Sequence, residues 1–149
     1  MVKQTCWPCD EGEQGEKEVA KAREAWTKKL DLTDADLSPL PSLCNLAVVT
    51  ALDLSGNQLR TVPSWIGDLT ALRELLLHEN QLIAVPEWIG NLSALTTLDL
   101  SDNNLSGAIP AGLGKLTNLT SLALCAIQLS EVPDWIGRLT TLTELELSG

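Results

Sequence analysis

The sequence predicts an α/β solenoid, with short parallel strands on a concave face, short helical turns on the convex face and a helical cap at the amino end. Three observations carry that expectation. Asn57, Asn80 and Asn103 recur 23 residues apart, and Pro41, Pro63, Pro86, Pro110 and Pro133 follow at intervals of 22, 23, 24 and 23. Around the asparagines a frame LxxLxLxxNxL returns as VTALDLSGNQL, LRELLLHENQL, LTTLDLSDNNL and LTSLALCAIQL. TKKLDLTDADL is a degenerate earlier copy, and LTELELSG opens a further one. Apolar residues make up 44% of the 149, too many for a disordered chain and enough for one continuous core.

Each letter of the frame has a physical reason. In the LxL segment successive side chains take opposite faces, so Leu52 and Leu54 point inward while Ala51, Asp53 and Ser55 point outward. The asparagine stands where the chain leaves the sheet, and its amide satisfies backbone groups of its own and the adjoining coil. Proline in VPxWIGxL sets φ for a short helical turn on the convex side. Trp65, Trp88 and Trp135 share one repeat position and are expected to stack or pack edge to face. Cys44 aligns with Ile66, Ile89 and Ile136, which places it in the core.

Upstream, GEKEVAKAREAWTKKL sets Val19, Ala22 and Trp26 on a narrow apolar stripe and pairs Glu24 with Lys28 at i, i+4. Residues 15–29 are therefore expected to cap the first repeat, with 1–14 a flexible acidic tail. Residues 30–149 hold about five repeats, the last incomplete.

On these motifs the chain resembles leucine-rich repeat proteins. The VPxWIGxL and LxLxxNxL segments are similar to the LPxWIGxL repeats of the intracellular Ras-group-related class. NNLSGAIPAGLGKLTNL resembles the plant-specific LSGxIP class of receptor ectodomains, with Gly107 as its extra residue and Gly112 where other coils carry tryptophan. Both resemblances imply a scaffold that binds protein, and neither implies a particular ligand.

The composition argues against several function classes. A formal charge of -10 repels phosphate backbones, so nucleic acid is not an expected partner. No apolar run reaches the roughly 18 residues of a membrane span. MVKQTCWPCDEGEQG has no apolar signal-peptide region, which sets the expected location as the cytoplasm. His78 is the single histidine, and no Ser/His/Asp set, phosphate-cradling glycine loop or paired-acid cleft can be assembled around it.

Cys6 and Cys9 form a CWPC motif, so a thiol oxidoreductase is one alternative. No strand pattern precedes the motif, however, and the acidic DEGEQGE after it disfavours a thiolate. A zinc site there lacks two further ligands. Neither catalysis, nor a cofactor, nor a metal is expected. The N-x-S/T matches at Asn91, Asn104 and Asn118 fall within the repeat frame and matter only in a secreted chain.

Function is sought on the outward positions, which the fold does not need. These give Asp31, Asp53, Glu74, Leu76, His78, Asp99, Asp102 and Cys125 as candidate partner-binding residues, with Lys29 the clear counter-charge. The expected function is a non-catalytic scaffold that presents an acidic groove to a basic or polar surface of a protein partner. Solubility alone also accounts for an acidic surface. Ile127 replaces the asparagine of its coil, and with Ala123, Cys125 and Ala126 it offers a small apolar contact patch or simple drift.

The ending TELELSG leaves Leu142, Leu145 and Leu147 packed from one side. The expectation is a homodimer in which two such edges meet about a two-fold axis. Other readings are a structural piece completed by another chain, a protein that continues, or a raw end.

Overall fold

The computed structural model describes residues 29–33, 48–106, 109–127 and 132–147. The acidic tail with Cys6 and Cys9, the expected cap up to Lys28, Asp34, Cys44 and Gly107 lie outside the described residues. Six strands form one parallel sheet in chain order. They are β1 (Lys29–Asp31), β2 (Ala51–Asp53), β3 (Glu74–Leu76), β4 (Thr97–Asp99), β5 (Ser121–Ala123) and β6 (Glu144–Glu146). Lys29 pairs with Ala51 in the ladder. This corrects the expected cap boundary: Lys29 belongs to the first strand, because its outward place in the sheet fits a long cation.

One coil therefore supplies one strand, and the core is built from rows of equivalent leucines. Leu30, Leu52, Leu75, Leu98 and Leu122 form the row at the strand centres, all buried. Leu32, Leu54, Leu77, Leu100 and Leu124 form the next, and Val49, Leu72, Leu95 and Leu119 the row before the strands. The approach to the sheet is stitched by threonines. Thr96 Oγ1 donates to Arg73 O at 2.9 Å, Thr120 Oγ1 to Thr96 O at 3.0 Å and Thr143 Oγ1 to Thr120 O at 3.0 Å.

On the convex side the expected helical turns are 3-10 segments: Ser64–Asp68, Glu87–Asn91, Ala111–Lys115 and Asp134–Arg138. Each follows a proline whose φ lies between -60° and -74°. Five residues with i to i+3 bonds suffice here, because a coil must only reverse direction before the next strand. Ile66, Ile89 and Leu113 point from these turns into the core and are fully buried.

The tryptophans do not follow the stacking expectation. A Cβ built on Gly67 would lie 3.3 Å from the Trp88 ring, and one on Gly114 would lie 2.9 Å from Trp135 Cβ. Each of these tryptophans thus packs on the glycine of the preceding turn, the G of WIG or its equivalent. Trp135 Nε1 also donates to Ile109 O at 3.4 Å. Between the third and fourth coils the tryptophan position holds Gly112, and the two turns close up until a Cβ on Gly90 would lie 2.1 Å from Gly112 O. The amide of Gly112 donates to Glu87 Oε2 at 2.9 Å in that pinch.

The chain leaves β2, β3, β4 and β5 through a left-handed residue. Gly56 has φ 71°, Glu79 53°, Asp102 52° and Ala126 53°, each one before the asparagine position. Among the described residues, no helix is long and apolar enough to cross a membrane.

Candidate concave binding face

The sheet register decides which outward side chains meet. One row runs Asp31, Asp53, Leu76, Asp99, Ala123, Glu146 across β1 to β6. A second runs Lys29, Ala51, Glu74, Thr97, Ser121, Glu144. Most of these side chains between β2 and β5 are half-buried, as expected for a groove floor. Asp31, Asp53, Glu74, Leu76 and Asp99 are thus brought together. Asp102 is not in either row: it sits exposed on the rim at its left-handed turn, and its N–H donates to Cys125 O at 3.0 Å.

The aspartates have local work as well. Asp31 Oδ1 accepts from the Thr33 amide at 3.1 Å and the Thr33 hydroxyl at 2.8 Å. The Thr33 amide, seconded by its hydroxyl, holds the Asp31 carboxyl below the ordinary aspartate range. Asp53 Oδ1 accepts from the Ser55 amide at 3.1 Å and also from the Ser55 hydroxyl, and Asp99 Oδ1 accepts from the Ser101 amide at 2.9 Å. These are side-chain turns at the strand ends, of the kind Asp makes to an amide two residues on. The signal was in the sequence as DLT, DLS and DLS, three times at one repeat position.

Three remaining contacts set the chemistry of the groove. His78 Nδ1 lies 3.4 Å from Asp99 Oδ2, a charge contact when the imidazole is protonated. The same nitrogen is buried and lacks an aligned hydrogen-bond partner, so the pair is not a hydrogen bond. Cys125 Sγ lies 3.6 Å from Glu146 Oε2, and the Cys125 amide donates to Ser101 Oγ at 3.2 Å. Glu146 is a groove residue that the candidate set omitted, although it occupies the outward position of LEL. Among the described residues no three His, Cys, Asp or Glu side chains gather as a metal site.

Beneath the groove runs the asparagine ladder. Asn80 Nδ2 donates to Leu54 O at 3.0 Å, Leu77 O at 3.0 Å and His78 O at 3.1 Å, while its Oδ1 accepts from Leu59 N at 2.9 Å. Asn103 repeats the pattern with Leu77, Leu100, Ser101 and the amide of Leu82. Each amide group thereby ties its own coil to the preceding one. Ile127 occupies the same position, but its side chain is buried rather than presented to solvent. Of the two readings, contact patch or drift, Ile127 itself contributes to no surface patch: it extends the core, which leaves Ala123, Cys125 and Ala126 outside.

At β6 the burial pattern changes. Leu145 is 38% exposed and Leu147 37%, whereas their row partners Leu122 and Leu124 are each 1% exposed. Val132 is 60% exposed against 8% for Val85, and Leu142 is half-buried.

A sheet with one strand per coil, a buried asparagine ladder and repeated leucine rows defines a repeat solenoid. The chain belongs to the leucine-rich repeat family, whose model of a leucine-rich repeat region matches residues 28–149. Among solved structures it is similar to a leucine-rich repeat protein of Leptospira interrogans, with a TM-score of 0.81 and 36% identity over 87% of this chain and 33% of that one. It is also similar to the ectodomain of the Arabidopsis receptor kinase HAESA, solved in complex with an N-terminally extended IDA peptide hormone. That match has a TM-score of 0.64 and 37% identity, and covers 74% of this chain and 19% of the ectodomain. The chain thus spans about a third of the first structure and about a fifth of the second. No curated protein sequence matches it.

Proposed function

We propose that the concave face binds a protein or peptide through its acidic row, without catalysis of its own. The observation that carries this reading is the register that aligns Asp31, Asp53, Asp99 and Glu146 in one row, with Glu74 and Glu144 beside it. Leucine-rich repeats commonly mediate protein–protein interaction, and one similar structure holds a peptide hormone. Like charges on adjacent strands, such as Asp31 and Asp53, repel by about 0.8 kcal/mol at ~5 Å in water. A cationic partner removes that repulsion, so charge complementarity favours a basic surface. Leu76, at the centre of the row, supplies an apolar anchor.

The test replaces Asp53, Glu74 and Asp99 together by Asn, Gln and Asn. Asn keeps the oxygen that accepts from Ser55 and Ser101, so charge is removed while the turn bonds survive. Association with a lysine-rich probe peptide should slow, and its salt dependence should flatten. Unchanged affinity and salt slope overturn the reading.

A second reading concerns β6, where exposed Leu145 and Leu147 stand in rows that are buried everywhere else. For a chain of these residues, a second copy related by a two-fold axis is the proposed cover. Such a pair brings Glu144 and Glu146 toward their counterparts, so added salt, which screens the repulsion between them, should strengthen it. Sedimentation decides it. A dimer abolished by Leu145→Lys supports the reading, and a wild-type monomer at tens of micromolar ends it.

A further inference from the structure

The central row of the groove alternates. From β2 onward it reads acid, apolar, acid, apolar, acid: Asp53, Leu76, Asp99, Ala123, Glu146. Adjacent strands are about 4.8 Å apart, so successive carboxylates recur every ~9.6 Å along the solenoid axis. That distance selects among ligand backbones. A polyproline II chain returns to the same face every third residue, about 9.3 Å on. An extended strand presents one face every ~6.6 Å and misses the middle carboxylate by about 3 Å. An α-helix matches best with every seventh residue, about 10.5 Å apart, and drifts out of phase by ~1 Å per step.

The acids are also held in place before any ligand arrives. Asp53 and Asp99 each commit Oδ1 to the turn two residues on, which orients the carboxylate and keeps the side chain from collapsing along the strand. Asp99 Oδ2 faces His78, and Glu146 Oε2 lies near Cys125 Sγ. Half-buried Leu76 and Ala123 lie between the acids and suit the rings and methylene stems of a ligand crossing the strands. At the β1 side, Asp31 lies directly beside Asp53, so the first cation of a ligand meets a pair of carboxylates.

We propose that the occupant of this face is an extended basic peptide segment in the polyproline II conformation, with Lys or Arg at every third position, laid across β2 to β6. It rests on the reading of the acidic row as the binding surface. The peptide's cations sit over Asp53, Asp99 and Glu146, and the intervening residues pass over Leu76 and Ala123. Proline between the cations lowers the ordering entropy, because its φ is already that of the bound form.

The experiment uses the full chain and composition-matched peptides: Lys-Pro-Pro-Lys-Pro-Pro-Lys, and isomers that cluster the lysines or set them at alternate positions. Fluorescence anisotropy should give the period-three isomer an affinity about tenfold above either isomer. Asp99→Asn, which removes the middle charge and keeps the Ser101 bond, should erase that preference while leaving residual binding. Equal affinities for all isomers, or a preference that survives in Asp99→Asn, overturn the register and leave the acidic face standing as a general binding surface. If no isomer binds at all, both this inference and the acidic-row reading are overturned.

Discussion

The central coil, from Leu72 to Leu92, and the last one, from Leu119 to Leu147, are written in the same repeat but live in different surroundings. In the central coil every inward leucine is fully buried, Asn80 bridges two coils, and Gly90 touches backbone. In the last stretch Leu122 and Leu124 remain buried under β6, but Leu145 and Leu147 at β6 itself are more than a third exposed, Ile127 replaces the asparagine, and a Cβ on Gly137 would meet nothing within 4 Å. The difference teaches that burial in a solenoid is a property of the neighbouring coil rather than of the repeat itself.

The sharpest way to break the comparison is at its glycines. Gly90→Ala should destabilise the chain by more than about 3 kcal/mol, because backbone of the next turn occupies the space its methyl needs. Gly137→Ala, at the same repeat position, should change stability by less than about 0.5 kcal/mol. Urea unfolding of the two variants gives the answer, and equal losses would mean the pinch relaxes. A similar contrast holds for the strand-centre row. Leu75→Ala should lose about 2–5 kcal/mol through transfer and cavity terms, while Leu145→Ala, already open on one side, should lose roughly half as much or less.

Asn80→Ile tests whether the last coil's isoleucine could serve in the centre. It leaves Leu59 N without its acceptor, while Leu54 O and Leu77 O keep the Asn57 and Asn103 amides, so the loss should be about 1–3 kcal/mol, the cost of one unpaired buried group. A stability within error of wild type would show that the ladder is dispensable. In the opposite direction, Ala126→Gly should stabilise by about 1 kcal/mol, because φ 53° is strained for a residue with a Cβ and free for glycine. Thermal unfolding would register it as a rise of a few degrees, by about the usual stability-to-Tm conversion.

The smallest effect lies at the opposite edge of the sheet. Thr33 lowers the folded-state pKa of Asp31, so the ionised carboxylate stabilises the fold above its unfolded value. That contribution is lost as pH falls through the folded value, below the ordinary 3.8. The stability gap between wild type and Asp31→Asn should therefore be widest near neutrality and close in acid. A gap that is flat with pH would mean the Thr33 contacts do not favour the charge.

Much of this was legible in the chain itself. The 23-residue recurrence determined the strands, their parallel order and the inward leucines, since an LxL segment at fixed spacing has one way to bury both leucines. It also supplied Asp31, Asp53, Glu74, Leu76 and Asp99 as groove residues, because outward positions follow from the same alternation. What only the tertiary structure decided are the contacts between coils. Periodicity gives a tryptophan its repeat position, but that Trp88 meets Gly67 and Trp135 meets Gly114 is decided by how neighbouring turns stack. Ile127 reads in the sequence either as part of an apolar contact patch or as drift, yet the site is interior and accepts either a bonded amide or an aliphatic group. Local sequence sets which face a residue takes. The depth of its burial and the partner it touches are set by the coil stacked against it.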